Sequence, residues 1–208
     1  MFPIMVHLAD EKVVMVGGGE VALHKIENLR RFGLHVHVVS PVIHPGIEKL
    51  ADEGVVTVIQ KPVEEKDYED AFLVMAVTDS KKVNDEVAKQ AKAAGKLVVH
   101  AAQPDLGNSI IPASLQRGRL VLSVSTGGAS PTLAKQIRNE LAEVYDESYE
   151  DYIDFLYEVR QIVRKVEPDR TVRRHLLKIA ADPIFYKDIE RREAFLREIR
   201  PFAQAIQP

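Results

Sequence analysis

Lys12-Val13-Val14-Met15-Val16-Gly17-Gly18-Gly19-Glu20-Val21-Ala22 decides the fold. A short, almost continuous apolar run meets a triple glycine. A helical pattern follows, with Ala22, Ile26 and Leu29 on one face. An apolar strand, a glycine turn and an amphipathic helix begin a β-α-β unit. Gly17, Gly19 and Ala22 make a G-x-G-x-x-A pattern, and each position has a physical reason. The first glycine permits the tight turn, the second admits a pyrophosphate close to the backbone, and the small third residue lets helix and strand pack. The helix start adds unpaired N–H donors and partial positive charge. The pattern alone is weak, since a plain strand–turn–helix loop has the same composition. The flanking strand and helix give it meaning. Gly17, Gly18, Gly19, Glu20 and Val21 are therefore expected to bind a dinucleotide.

Outward from this loop the alternation continues. His35 to Val39 reads as a second strand, stopped by Ser40-Pro41. A helix around Gly46 to Glu53 ends at Gly54, and Val55 to Ile59 is a third strand. Phe72 to Val77 is a fourth, closed by the capping cluster Thr78-Asp79-Ser80. A helix over Lys81 to Ala94 stops at Gly95, and Leu97 to Ala102 is a fifth strand. Strands alternating with helices imply right-handed crossovers and a parallel sheet covered on both faces. The fold class is α/β, a doubly wound parallel sheet over residues 1–112. About 20 residues past the glycines, where an acid usually holds the ribose, stand Ser40, Pro41 and Val42. Neither a carboxylate nor a close cation follows, which favours NAD over NADP. Thr78 and Asp79 end the fourth strand at the cofactor edge, although Asp79 equally suits a helix cap.

Beyond residue 112 the texture changes. Leu120 to Val124 is a strand, and Ser125-Thr126-Gly127-Gly128-Ala129-Ser130 is a small-residue turn. Ser130 and Pro131 fit the N-cap and first position of a helix. Ser125, Thr126, Gly127, Gly128 and Ser130 are expected to bind a substrate's carboxylates through hydroxyls and N–H groups, or to form a tight turn and cap only. Thr132 to Glu167 lacks Pro and Gly, so one long helix or two abutting helices are expected. Its acidic, tyrosine-bearing middle, Tyr145 to Tyr157, suits a dimer interface, a lid or an exposed helix.

The 208 residues are 46% hydrophobic and 28% charged, the balance of a globular protein. The net charge of -3 offers no global field for nucleic acid or an anionic membrane. The absence of cysteine excludes disulfides, thiolate metal sites and Cys nucleophiles. No apolar run approaches a membrane span and the first ten residues lack a signal-peptide pattern. The expected location is cytoplasmic. His35 and His37 share a strand face and read as structural; no metal site is assigned.

Four stretches together resemble one family, the precorrin-2 dehydrogenases, also found as the N-terminal half of siroheme synthases. They are Val14-Met15-Val16-Gly17-Gly18-Gly19-Glu20-Val21-Ala22-Leu23-His24-Lys25, Ala76-Val77-Thr78-Asp79-Ser80 with Asn84, Ile111-Pro112-Ala113, and Val124-Ser125-Thr126-Gly127-Gly128-Ala129-Ser130-Pro131. The resemblance implies a Rossmann-type domain over 1–112, a dimerisation region over 113–145 and a helical C-terminal domain over 146–208. It implies NAD-dependent oxidation of precorrin-2 to sirohydrochlorin on the route to siroheme, in a homodimer, with metal insertion left to a separate chelatase or done by the same chain. It maps dinucleotide contacts onto Glu20, Val21, Pro41 and Val42, and a tetrapyrrole contact onto Ser125 to Ser130.

The chain departs from the family at one place. The Asn-Val-Val-Asp that many members carry after the fifth strand falls on Val99-His100-Ala101-Ala102, without its acid. Asp105 substitutes from the following loop, or His100 handles the proton, or no side chain is essential. The lost acid argues against strong chelatase activity and leaves a non-catalytic dinucleotide or tetrapyrrole sensor as the alternative. Arg117, Arg119, Lys135 and Arg138, with Arg170, Arg173, Arg174 and His175, are the candidate cations for a polycarboxylate.

Overall fold

The computed structural model describes residues 1–167 and 169–204. It contains two compact units, Met1–Ile111 and the remainder from Pro112.

In the first unit β1 (Val13–Val16) is followed by α1 (Glu20–Arg30), β2 (Val36–Val39), α2 (Pro45–Asp52), β3 (Val56–Ile59), β4 (Leu73–Ala76), α3 (Lys81–Ala93) and β5 (Leu97–His100). The strands form one sheet in the order β3-β2-β1-β4-β5, every neighbouring pair parallel. Met15 stands opposite Val38 on one side and Met75 on the other. All four residues of β1 are buried, because successive side chains point to opposite faces and both faces are covered. Val13 and Met15 pack with Ala22 and Ile26 of α1 and Ile47 and Leu50 of α2. Val14 and Val16 pack with Val87, Ala88 and Ala91 of α3. Two apolar layers on one sheet make the fold doubly wound. The chain order reverses between β1 and β4, which opens a crevice at their carboxyl ends.

The fifth strand ends at His100 rather than at the expected Ala102. The chain turns there into a single 3₁₀ turn, Pro104–Leu106, and folds back on the sheet edge. Asn108 Oδ1 accepts the Val98 N–H at 2.7 Å, and its Nδ2 donates to the Lys96 carbonyl at 2.8 Å. A side chain thus occupies edge groups that would otherwise invite another strand.

The second unit begins with an antiparallel hairpin, β6 (Ala113–Arg117) and β7 (Leu120–Val124), with Leu115 opposite Leu122. Among the described residues four α-helices follow: α4 (Pro131–Val144), α5 (Ser148–Val166), α6 (Arg170–Ala180) and α7 (Ile189–Gln204). The Gly- and Pro-free stretch is therefore two helices. Tyr145–Glu147 separates them. Tyr152, Phe155, Val159 and Val163 recur at helical spacing and are buried with Ala180, Phe185, Leu196 and Ile199. The tyrosine stretch is largely core rather than lid. Tyr149 lies 4.3 Å from the Tyr186 ring, and Tyr152 packs on Phe155. Only Tyr157 of that stretch is well exposed, beneath the Arg119 guanidinium. Among the described residues no helix is long and apolar enough to cross a membrane.

Candidate active site

The glycine loop joins β1 to α1, and each glycine does something different. Gly17 donates its N–H to Val39 O at 3.0 Å and has φ +123°. A Cβ there would lie 2.8 Å from the Val77 carbonyl oxygen, so the turn tolerates no side chain. Gly18 is equally confined: a Cβ would lie 2.6 Å from Val42 O and 2.8 Å from Ile43 Cδ1. Its carbonyl accepts the His44 N–H at 2.7 Å, which ties the loop to the segment after β2. Gly19 differs, since a Cβ would meet nothing within 4 Å. Gly19 is the N-cap of α1 and supplies no capping side chain. No side chain caps the first N–H groups of α1, which leaves them for a ligand such as a diphosphate. Glu20 and Val21 are exposed at that helix start, and Ala22 is fully buried against the sheet.

The second rim follows β2. Ser40 is buried, and its hydroxyl donates to Val42 O at 2.8 Å. That bond shapes the turn and presents Pro41 and Val42 outward, Val42 at 75% exposure. Gln60 Nε2 donates to Pro41 O at 3.3 Å. His44 caps α2 by accepting the Gly46 N–H at 3.0 Å.

The third rim follows β4, and its anchor is Asn84. This side chain is 2% exposed; its Oδ1 accepts the Thr78 N–H at 2.9 Å and the Thr78 hydroxyl at 2.7 Å. Its Nδ2 donates to Thr78 O at 2.8 Å. One amide therefore fixes the whole Thr78 residue. Ser80, not Asp79, caps α3 through its hydroxyl, so Asp79 stands exposed without that duty. Asparagine one turn inside a Ser-capped helix was the available signal for this clamp.

His100 and Asp105 are separated in environment. The His100 side chain has no exposed surface. Its Nδ1 accepts the Gln103 N–H at 3.0 Å and its Nε2 lies 3.1 Å from Asp85 Oδ1. Asp85 also pairs with Lys81; that contact first, and His100 after it, hold its carboxyl below the usual carboxylate range. Asp105 is exposed on the 3₁₀ turn and borders a hollow with Asp85, Lys89, Lys92, Ala93 and Leu106.

The serine turn belongs to the second unit and is held by its own hydroxyls. Thr126 Oγ1 accepts the Ser130 N–H and donates to Ser130 O, both at 3.0 Å. Gly127 N–H donates to Ser125 Oγ at 3.2 Å. Gly127 and Gly128 have φ +62° and +90°, conformations that favour glycine. Ser130 caps α4 by accepting the Leu133 N–H at 3.1 Å. Among the candidate cations Arg119 is committed to Asp154 at 3.0 Å and to the Tyr157 ring. The Nε atoms of Arg117 and Arg138 are buried without a hydrogen-bond partner.

Residues 4–113 match a family profile described as NAD(P)-binding. Residues 117–143 match one described as sirohaem biosynthesis protein central, and 149–195 match the SirC C-terminal domain. A precorrin-2 dehydrogenase of Priestia megaterium is 33% identical over 97% of this chain and 100% of its own length. The chain belongs to the precorrin-2 dehydrogenase family. A second precorrin-2 dehydrogenase, from Bacillus subtilis, is 33% identical over 77% of this chain and 99% of its own. A siroheme synthase of Nitrosococcus oceani is 35% identical over 71% of this chain but only 31% of its own length. The solved structure of SirC, a precorrin-2 dehydrogenase, superposes with a TM-score of 0.79 at 33% identity, covering 97% of this chain. The triple glycine, the five-stranded order and the helical second unit thus sit in a precorrin-2 dehydrogenase framework.

Proposed function

We propose that this chain oxidises precorrin-2 to sirohydrochlorin with NAD⁺, the dehydrogenation step of siroheme biosynthesis. The observation that carries the reading is the Gly17-Gly18-Gly19 cradle before an α1 start without a side-chain cap, in a chain of this family. The residues fit the cofactor: Gly17 and Gly18 admit no side chain, while the position a Gly19 Cβ would fill is open. Gly17, Gly18, Gly19, Glu20 and Val21 form the diphosphate cradle: Gly17, its own N–H given to Val39 O, makes the turn, and the backbone N–H groups after it face the diphosphate. Pro41 and Val42 border the adenosine half, with Ser40 shaping their turn. Thr78 and Asp79 border the other half.

When bound, oxidised nicotinamide supplies the hydride acceptor. The chain's own task is orientation and departure of a proton. Proximity alone can supply up to about 7–11 kcal/mol of barrier reduction, and a positioned base a further factor of about 10²–10⁴. Asp105 is the candidate proton acceptor, since it is exposed on a loop at the carboxyl end of a strand. The enclosed His100 ring, with both nitrogens engaged, suits support better than proton exchange with a substrate. Ser125, Thr126, Gly127, Gly128 and Ser130 receive substrate carboxylates, aided by Arg117 and Arg138.

We read residues 113–145 as a dimerisation region, 146–208 as a helical C-terminal domain, of which 168 and 205–208 lie outside the described residues, the working form as a homodimer, and the location as cytoplasmic. A separate chelatase would complete siroheme. Incubation with precorrin-2 and NAD⁺ is expected to yield the sirohydrochlorin absorption spectrum and NADH in equal amounts. No product beside an active control enzyme would refute the reading. Ala102, standing where the family resemblance places an acid, favours a second reading, a sensor that binds without turnover. Ready turnover removes it.

A further inference from the structure

We propose that Asp85 and His100 are a positioning pair that locks the turn carrying Asp105 against the end of β5. The inference rests on the reading of the sheet's carboxyl edge as the dinucleotide site. β2 receives the adenosine half in that reading, so the nicotinamide end lies toward β4 and β5. Strands are about 4.8 Å apart, which brings the segment from Ala101 to Asp105 to its rim.

The argument starts from the oddity of the residue. β5 is Leu97-Val98-Val99-His100, and a covered parallel strand asks for an apolar residue at its last position. A buried imidazole is costly unless both nitrogens are bonded. Here Nδ1 accepts the Gln103 N–H, so in this bonding network the ring proton sits on Nε2, which donates to Asp85. Gln103 is the N-cap of the Pro104–Leu106 turn and provides no side-chain cap of its own. Gln103, Pro104, Asp105 and Leu106 are all exposed. The ring thus anchors an exposed turn from beneath, and Asp85 on α3 selects the tautomer that can do so.

Two conservative substitutions divide the ring's two bonds. His100→Asn keeps an acceptor near Nδ1, and His100→Gln keeps a donor near Nε2. We expect kcat within about threefold of wild type for His100→Asn and at least about tenfold lower for His100→Gln, because small misplacements cost large factors. KM for NAD⁺ should change by less than about twofold in both. Asp85→Ala and Asp85→Asn, at a partly exposed helix position, test the pair without burying a new group. The first should lower kcat and the second restore it, while Lys81→Ala leaves it unchanged. The Gln103 amide, followed by hydrogen exchange, should be protected in wild type and His100→Asn, and exchange at least about tenfold faster in His100→Gln and Asp85→Ala. Equal losses in His100→Asn and His100→Gln, no loss in Asp85→Ala, or a Gln103 amide exchanging equally fast in wild type would overturn the proposal. A wild-type chain that lacks turnover would instead remove the functional reading, and the exchange comparison would still decide the pair.

Discussion

A methyl group placed on Gly17 would fall 2.8 Å from the carbonyl oxygen of Val77, where β4 ends. The two loops that flank the reversal of strand order are therefore in backbone contact, and the crevice is built around a glycine that packs. Gly17→Ala meets both this overlap and a φ of +123°. It should destabilise the first unit by about 2 kcal/mol or more, read by urea unfolding. Gly19→Asp meets open space, so the fold should persist. Its carboxylate would stand where the diphosphate enters, and calorimetry should show NAD⁺ affinity falling at least about tenfold. Unchanged affinity would count against the loop as a diphosphate cradle.

Asn84 makes three hydrogen bonds to one residue, Thr78, from a position 2% exposed. Asn84→Ala leaves the Thr78 N–H and C=O without their partner. The expected loss is about 2 kcal/mol of stability, together with a raised KM for NAD⁺ as the rim loosens. Thr78→Val removes only the hydroxyl contribution and should do less of both. A larger effect from Thr78→Val would reverse this ranking of the clamp.

The second unit carries a pH-sensitive junction. The Ser148 hydroxyl first, and the Tyr186 hydroxyl next, hold the Asp146 carboxyl down to about 2. A carboxylate depressed on folding contributes its full stabilisation above its ordinary value, near 3.8, and loses it as pH falls through the folded value. Tyrosine near-ultraviolet dichroism should therefore be constant from pH 7 to about 5 and decline between about 4 and 2. Asp146→Asn should flatten that decline. An unaltered acid limb in Asp146→Asn would assign it to other carboxylates.

The sheet was legible because its strands are apolar on both faces and punctuated by glycine. β1, β4 and β5 read as strands for that reason, as did the cradle between β1 and α1. The partnerships across sequence were not legible. Gly18 is demanded by Val42 and Ile43, and Asp85 reaches His100 across 15 positions. β6 escaped notice because Ser114, Gln116 and Arg117 dilute its apolar alternation; a two-stranded hairpin needs only Leu115 buried. The tyrosines of α5 read as surface because acids separate them, yet at helical spacing the acids fall on the outer face.

Ser130 separates the two readings of the serine turn. Its hydroxyl accepts the Leu133 N–H and so caps α4. Ser130→Ala should cost about 1 kcal/mol through loss of the cap, whatever else the turn does. Ser130→Asp keeps a capping oxygen and adds a negative charge, which a helix start favours. Stability should therefore return to the wild-type level or exceed it. If the turn also receives substrate carboxylates, that same charge repels them, and KM for precorrin-2 should rise at least about tenfold while KM for NAD⁺ stays put. Steady-state kinetics on the two variants read both effects. Wild-type kinetics in Ser130→Asp would leave the turn as a cap and move the carboxylate contacts elsewhere, to the half-buried Arg117 and Arg138 first.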